Sequence, residues 1–266
     1  MLKSINDVNS FKRKFFNKLL KIRDSNPIFN EFLLSILVEN TGYVVGGFLR
    51  DIINNRESRD IDIVFDISQE KLIALLEVSN LSYKVNRMSG VKILLNEFEA
   101  DIWTIKNNWA FKSKVVKKND EYILESLADG CFYNYDSLVI NIHKGTVNVK
   151  NYNCFVDSKK LDILRKADVY KNRNPTWEAN ILRALYIKKL YNVDFSDNCL
   201  TYLARKVLEL NTSFDDPTIR INTIKAKYDK YSNMLSDQEI FDGISQVCYE
   251  FGSLIKTDKN QTSLFL

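Results

Sequence analysis

Residues 43–66 read YVVGGFLRDIINNRESRDIDIVFD, and the order of residue types in this stretch decides the fold. Tyr43, Val44 and Val45 form a short apolar strand, Gly46-Gly47 a tight turn, and a helix follows that carries Arg50 and Asp51. After a polar turn a second strand presents Asp60 and Asp62 as D-x-D. Side chains alternate faces along a strand, so these two carboxylates project to the same side. There they repel each other unless a cation neutralises them, and carboxylate oxygens are the ligands Mg²⁺ prefers. Without a Cβ at Gly46 or Gly47, a phosphate chain can approach the backbone N–H groups closely.

A later strand, EFEADIWTI over residues 97–105, sets Phe98, Ala100, Ile102 and Thr104 against Glu99, Asp101 and Trp103. Asp101 lies deepest among its apolar residues. It reads either as a strand-edge carboxylate on the solvent side or as a third metal ligand beside Asp60 and Asp62. Two-metal phosphoryl chemistry needs several carboxylates converging on one spot, which favours the second reading. A phosphate cradle beside a divalent-metal site outlines a nucleotidyl-transfer centre.

The rest of the composition bounds the class. The 266 residues are 45% hydrophobic and 27% charged, enough for one large or two modest soluble domains. A net charge of +4 permits a polyanionic partner without requiring one. Cys131, Cys154, Cys199 and Cys248 are scattered, with no C-x-x-C pair, and read as reduced, mostly buried thiols. No run approaches membrane-spanning length and the N-terminus lacks an apolar signal core, so the expected location is the cytoplasm.

Helical spacing covers residues 7–23 and 28–39, broken at Asn26-Pro27, then Gln69–Val78 and Glu121–Ala128. Short strands are expected near Ser82–Asn86 and Val91–Leu95. Residues 106–118 interleave Lys106, Lys112, Lys114, Lys117 and Lys118 with Trp109 and Phe111. They read equally as a single-strand nucleic-acid surface or as a charged loop with its aromatics turned inward. A hairpin around His143–Gly145 closes the first half, leaving His143, the only histidine, an exposed turn residue.

Beyond residue 155 helices dominate. One is capped by Asn174 and opened by Pro175; another starts at Pro217 and carries Ile221, Ile224, Tyr228 and Tyr231 along one side. Ser236-Asp237-Gln238-Glu239 is a capping box for a last helix whose expected inner face is Phe241, Ile244, Cys248 and Phe251.

With those residues in hand, VVGGFLRD followed by DIDIVF resembles the head of the tRNA nucleotidyltransferase and bacterial poly(A) polymerase family, within the polymerase-β-like superfamily. The resemblance implies an α+β chain: a polymerase-β-like head with a mixed sheet over residues 1–155, its N-terminal helices (1–40) packed on it, and an all-helical neck and body over 156–266. It implies Asp60 and Asp62 as metal ligands for Mg²⁺, the pair that Asp101 is expected to complete from its own strand, and Gly46 and Gly47 as triphosphate contacts. It assigns Arg50 and Asp51 to support of the nucleotide pocket. ILRALYIKKLY (Ile181–Tyr191) is similar to the family's neck helix and puts Arg183 beside the nucleotide, although Asn180 replaces an arginine usual there.

Other departures bear on substrate. CFYNYDSLVIN, with Asp136, stands where the family carries R-R-D-F-T-I-N-A. The candidate for the base-selecting E-D-x-x-R helix is Asp216 with Arg220; the pair reads equally as an N-capped helix start with a surface ion pair. The chain also stops short of the long body and tail that grip tRNA in the family. The expected activity is therefore transfer of NMP from an NTP (ATP or CTP) to an RNA 3′ end, a tRNA-like acceptor being favoured but ordinary CCA addition being poorly supported. The alternatives are transfer to a small molecule, a protein or a second nucleotide, and a catalytically silent RNA-binding relative.

Overall fold

The computed structural model describes residues 3–96, 98–170, 176–213 and 217–262. The chain divides into two compact units, Met1–Asp157 and Ser158–Leu266.

The first unit opens with α1 (Val8–Ser25) and α2 (Pro27–Leu37). Asp7 caps α1 by accepting from the Ser10 amide, and Pro27 starts α2 where its missing N–H costs nothing. Then come β1 (Gly42–Val45), α3 (Gly47–Ile53), β2 (Asp60–Phe65), α4 (Gln69–Val78), β3 (Tyr83–Val85), β4 (Val91–Leu94) and β5 (Glu99–Thr104). After α5 (Trp109–Lys112) and α6 (Ile123–Asp129), the hairpin of β6 (Val139–Asn141) and β7 (Val147–Asn148) leads into α7 (Lys150–Ser158).

One mixed sheet runs β3-β4-β5-β2-β1-β6-β7, with β2 and β5 parallel and every other neighbour antiparallel. Its two faces differ. Ile61, Ile63, Phe65, Ala100, Ile102 and Val44 are fully buried on one, beneath helices that contribute Phe15, Phe32, Leu33, Ile36 and Leu49. Each of the larger side chains (Val, Leu, Ile, Phe) contributes about 1.5–3 kcal/mol by leaving water. On the opposite face Tyr43, Val64 and Val139 pack with Leu127 and Ala128 of α6, so apolar cover reaches only part of that surface. The carboxylates of β2 and β5 occupy the part beyond it.

Residues 106–118 are not uniformly a basic surface. Phe111 packs against the α6-side apolar cluster, while Lys118 is ion-paired with Asp66 and Asp120. His143 is exposed at the hairpin turn. The cysteines depart from expectation: all are free thiols, but only Cys199 is buried, and Cys154 and Cys248 are exposed.

The second unit carries β8 (Lys160–Leu161) and β9 (Asp194–Phe195) as a two-residue parallel pair, and α8 (Trp177–Tyr191), α9 (Asp197–Ser213), α10 (Pro217–Lys225), α11 (Asp229–Ser232) and α12 (Asp237–Thr262). Thr176, not Asn174, caps α8, its hydroxyl accepting from the Ala179 amide; Asn174 and Pro175 lie outside the described residues. The expected helix through Tyr231 breaks after Lys225, and the separate α11 starts after Tyr228, which stands at its N-cap position without a side-chain cap. The capping box at Ser236 forms reciprocally: Glu239 N donates to Ser236 Oγ at 3.1 Å and Ser236 N to Glu239 Oε2 at 2.8 Å.

The inner face of α12 differs from the expected one. Ile240 and Val247 are buried, whereas Phe241 is 62% exposed and Cys248 is exposed. The helix meets α8 at Gly243, where an added Cβ would lie 2.6 Å from Leu185 Cδ2. That close approach rotates the buried stripe toward the glycine.

Candidate active site

Gly46, at φ 85 and ψ −131, makes the turn between β1 and α3 in a conformation that strongly favours glycine. Its amide donates to the Leu138 carbonyl at 2.9 Å, fastening the turn to the start of β6. A Cβ on Gly46 would lie 3.7 Å from the Asp136 carbonyl oxygen and 3.9 Å from Asp62 Oδ2. The backbone of the turn therefore runs directly beside the Asp62 carboxylate.

Asp62 on β2 stands in register with Asp101 on parallel β5, and Asp60 with Glu99. Facing residues of adjacent strands project to one side, so these acids share one face. Burial of Ile61, Ile63, Ala100 and Ile102 on the other face prevents either strand from turning over. Among the described residues Arg59 and Lys92 touch the cluster. Arg59 Nη2 lies 2.7 Å from Asp60 Oδ2; Lys92 Nζ lies 2.6 Å from Glu99 Oε2 and 3.5 Å from Asp101 Oδ1. Burial raises the Asp101 carboxyl pKa from its ordinary value, with Lys92 opposing and Asp60 and Glu99 adding. For Lys92, burial works against the charge, but Glu99 and Asp101 outweigh it and raise its pKa.

Among the described residues no three His, Cys, Asp or Glu side chains are drawn together closely enough to hold a metal ion as they stand. Asp60 and Asp101 lean instead on Arg59 and Lys92. The donor set nevertheless fits a hard divalent cation: it is all oxygen, and it gathers like charges on one face of adjacent strands.

Arg50 joins α3 to the turn ahead of β6. Its Nη1 donates to Asp136 Oδ1 at 2.5 Å, its Nε to Asp51 Oδ1 at 3.3 Å, and its guanidinium carbon sits 4.2 Å over the Tyr135 ring. All three charged groups are largely buried. Burial raises the Asp51 carboxyl pKa, against the pull of Arg50, Ser58 and Arg56. The Ser58 hydroxyl lies 3.2 Å from Asp51 Oδ2 and 3.1 Å from the Asp60 carbonyl, linking α3 to the strand that presents the D-x-D acids. Arg50 and Asp51 thus brace the turn and strand.

Residues 42–202 match the family model described as the poly A polymerase head domain. The chain belongs to that family. Its fold is the polymerase-β-like head followed by a helical unit. Among solved structures it is similar to a CCA-adding enzyme in complex with CTP, at 17% identity over 87% of this chain and 54% of that one, TM-score 0.59. It is also similar to a tRNA nucleotidyltransferase complexed with a primer tRNA and an incoming ATP analogue (16% identity, 81% and 60% covered, TM-score 0.57). A third is the Thermotoga maritima CCA-adding enzyme complexed with tRNA (15% identity, 87% and 51% covered, TM-score 0.58). At these identities the likeness is one of fold, and the chain spans about half to three-fifths of those proteins' lengths. No curated protein sequence is similar enough to this one to count as a match.

The head-family match extends through α8, the helix that carries Arg183. Arg220 on α10 reaches back to that helix: its Nε donates to Glu178 Oε1 at 2.7 Å, and Glu178 is only 3% exposed. Burial works to raise the Glu178 pKa, but its own backbone amide, Arg220 and Thr176 outweigh this and hold it below the ordinary value. Asp216, the expected partner of Arg220, lies outside the described residues. Sequence reasoning passed over Glu178, Tyr135 and Lys92. A glutamate in the first turn after a Thr cap was a local signal for the first; the other two depend on contacts that no spacing encodes.

Proposed function

We propose that the protein is a Mg²⁺-dependent nucleotidyltransferase that moves NMP from an NTP (ATP or CTP) onto an RNA 3′ end, releasing pyrophosphate, with a tRNA-like acceptor favoured. The observation that carries this reading is the register of Asp62 with Asp101, with Asp60 on the same face and the Gly46 backbone against Asp62. Membership of the poly(A) polymerase head family supports the reaction class. Solved neighbours bound to CTP, an ATP analogue and tRNA support the choice of nucleotide and acceptor.

In this reading Asp60, Asp62 and Asp101 hold the cation. Mg²⁺ bound there would neutralise phosphate charge and make the attacking hydroxyl more acidic. Gly46 and Gly47 leave the turn open to the triphosphate, and Arg50 with Asp51 keeps that turn in place. Residues 1–155 are the catalytic head and 156–266 the neck and body, where Arg183 meets the nucleotide and Asp216 with Arg220 selects its base. The basic helices of the body meet the RNA, so acceptor affinity falls steeply with salt. The reaction takes place in the cytoplasm; among the described residues no helix is long and apolar enough to cross a membrane.

The test is incubation of the purified protein with each radiolabelled NTP, Mg²⁺ and total RNA, beside Asp62→Asn. Label enters RNA with the wild type and falls by roughly a thousandfold or more in the variant. Label in protein or a small molecule would replace the RNA acceptor. Absence of both labelling and NTP binding would leave a silent binding module.

A further inference from the structure

Alternation along β4 places Lys92 on the carboxylate face. Val91 and Ile93 are 1% and 0% exposed on the other face, so the strand cannot turn Lys92 away without exposing both. Lys92 stands in antiparallel register with Asp101, which in turn faces Asp62. One transverse row of the sheet therefore reads Lys92, Asp101, Asp62. The ammonium lies 2.6 Å from Glu99 Oε2 and 3.5 Å from Asp101 Oδ1, so Glu99 is its closer partner and Asp101 its looser one. The two acids are i, i+2 on β5 and share that face.

We infer that Lys92 is a built-in counter-ion of the carboxylate face, a positioning residue that ties up Asp101 in the cation-free protein and yields it when a divalent cation binds. This rests on the reading of Asp60, Asp62 and Asp101 as cation ligands. Anchored on Glu99, the ammonium keeps an ionic partner when Asp101 leaves it, so exchange does not strand a charge. Asp101 is then already engaged without metal, and a cation must displace Lys92 from it to gain a third carboxylate. The consequence is a weakened affinity for free cation, favouring a cation that arrives with the negative charge of the triphosphate.

The experiment is titration of the full chain with Mn²⁺ alone, following free Mn²⁺ by electron paramagnetic resonance, with no nucleotide and no turnover. Wild type, Lys92→Met, Lys92→Gln, Lys92→Arg, Asp62→Asn and the double variant Lys92→Met/Glu99→Gln are compared. Expected are roughly tenfold tighter binding for Lys92→Met and Lys92→Gln, and near-wild-type binding for Lys92→Arg. The double variant has the same local net charge as wild type, so tighter binding there would identify release of the tie rather than loss of a positive charge. Unchanged or weaker binding in both Met and Gln variants, or a double variant no tighter than wild type, would overturn the inference alone, provided Asp62→Asn binds less Mn²⁺ than wild type. If Asp62→Asn and wild type titrate identically, the cation site fails and the inference falls with it.

Discussion

Arg50 on α3 and Asp136 in the turn before β6 are joined by a 2.5 Å ion pair across 86 positions of sequence. The guanidinium also stacks on Tyr135 and reaches Asp51, so one side chain couples the glycine turn, the helix behind it and the segment that receives the Gly46 amide. Lysine keeps the charge but lacks the planar fork and the stacking surface. Arg50→Lys is therefore expected to lower stability by about 1–3 kcal/mol in urea unfolding. NTP incorporation should fall roughly tenfold to a hundredfold, because small displacements of a positioning turn are costly. Full activity in a destabilised variant would show that the turn does not position substrate.

At Gly46 there is space for a methyl group, but the positive φ resists any side chain. Gly46→Ala should cost about 1–3 kcal/mol through backbone strain. If the turn cradles the triphosphate, the variant's KM for NTP should rise more than its kcat falls. Thermal unfolding and steady-state kinetics check the two effects separately, and wild-type values in both would refute the strain and the cradle together.

Removing Arg220 leaves the nearly buried Glu178 without its cationic partner. Arg220→Met is expected to destabilise the protein by about 1–3 kcal/mol. The double variant Glu178→Gln/Arg220→Met should recover part of that loss, because the stranded charge has gone. A purely additive double-mutant cycle would mean that the pair contributes nothing beyond its separate side chains.

Glu239 combines the α12 capping box with an ion pair to Lys189, and the lysine hydrogen bond heads the causes that lower its pKa from 4.5 to about 2. A depressed folded-state pKa stabilises above the unfolded value, and the contribution fades as pH falls through the folded one. The melting advantage of wild type over Glu239→Gln should be full at pH 7. It should shrink between pH 4.5 and about 2 and vanish below. An advantage independent of pH would assign the effect to shape rather than charge.

Much of this protein is legible in its sequence because the relevant physics is local. A two-residue period put Asp60 and Asp62 on one face, the glycine pair marked the turn, and Ser236 with Glu239 announced their own reciprocal bonds. Pairing across the sheet is another matter. That β5 rather than β3 or β4 lies beside β2, parallel and with Asp101 opposite Asp62, is a pairing between segments distant in sequence that no local spacing encodes. The same sheet delivers Lys92 to the acids, and the fold of the 134–136 turn supplies Arg50 with Asp136 and Tyr135. On α12, helical spacing alone allowed a stripe through Phe241 and Cys248; the approach of Leu185 to Gly243 selected Ile240 and Val247 instead. Spacing and capping act within a turn or two of chain and can be read from it. Register and burial depend on which distant surfaces exclude water together, and only the tertiary structure decides that.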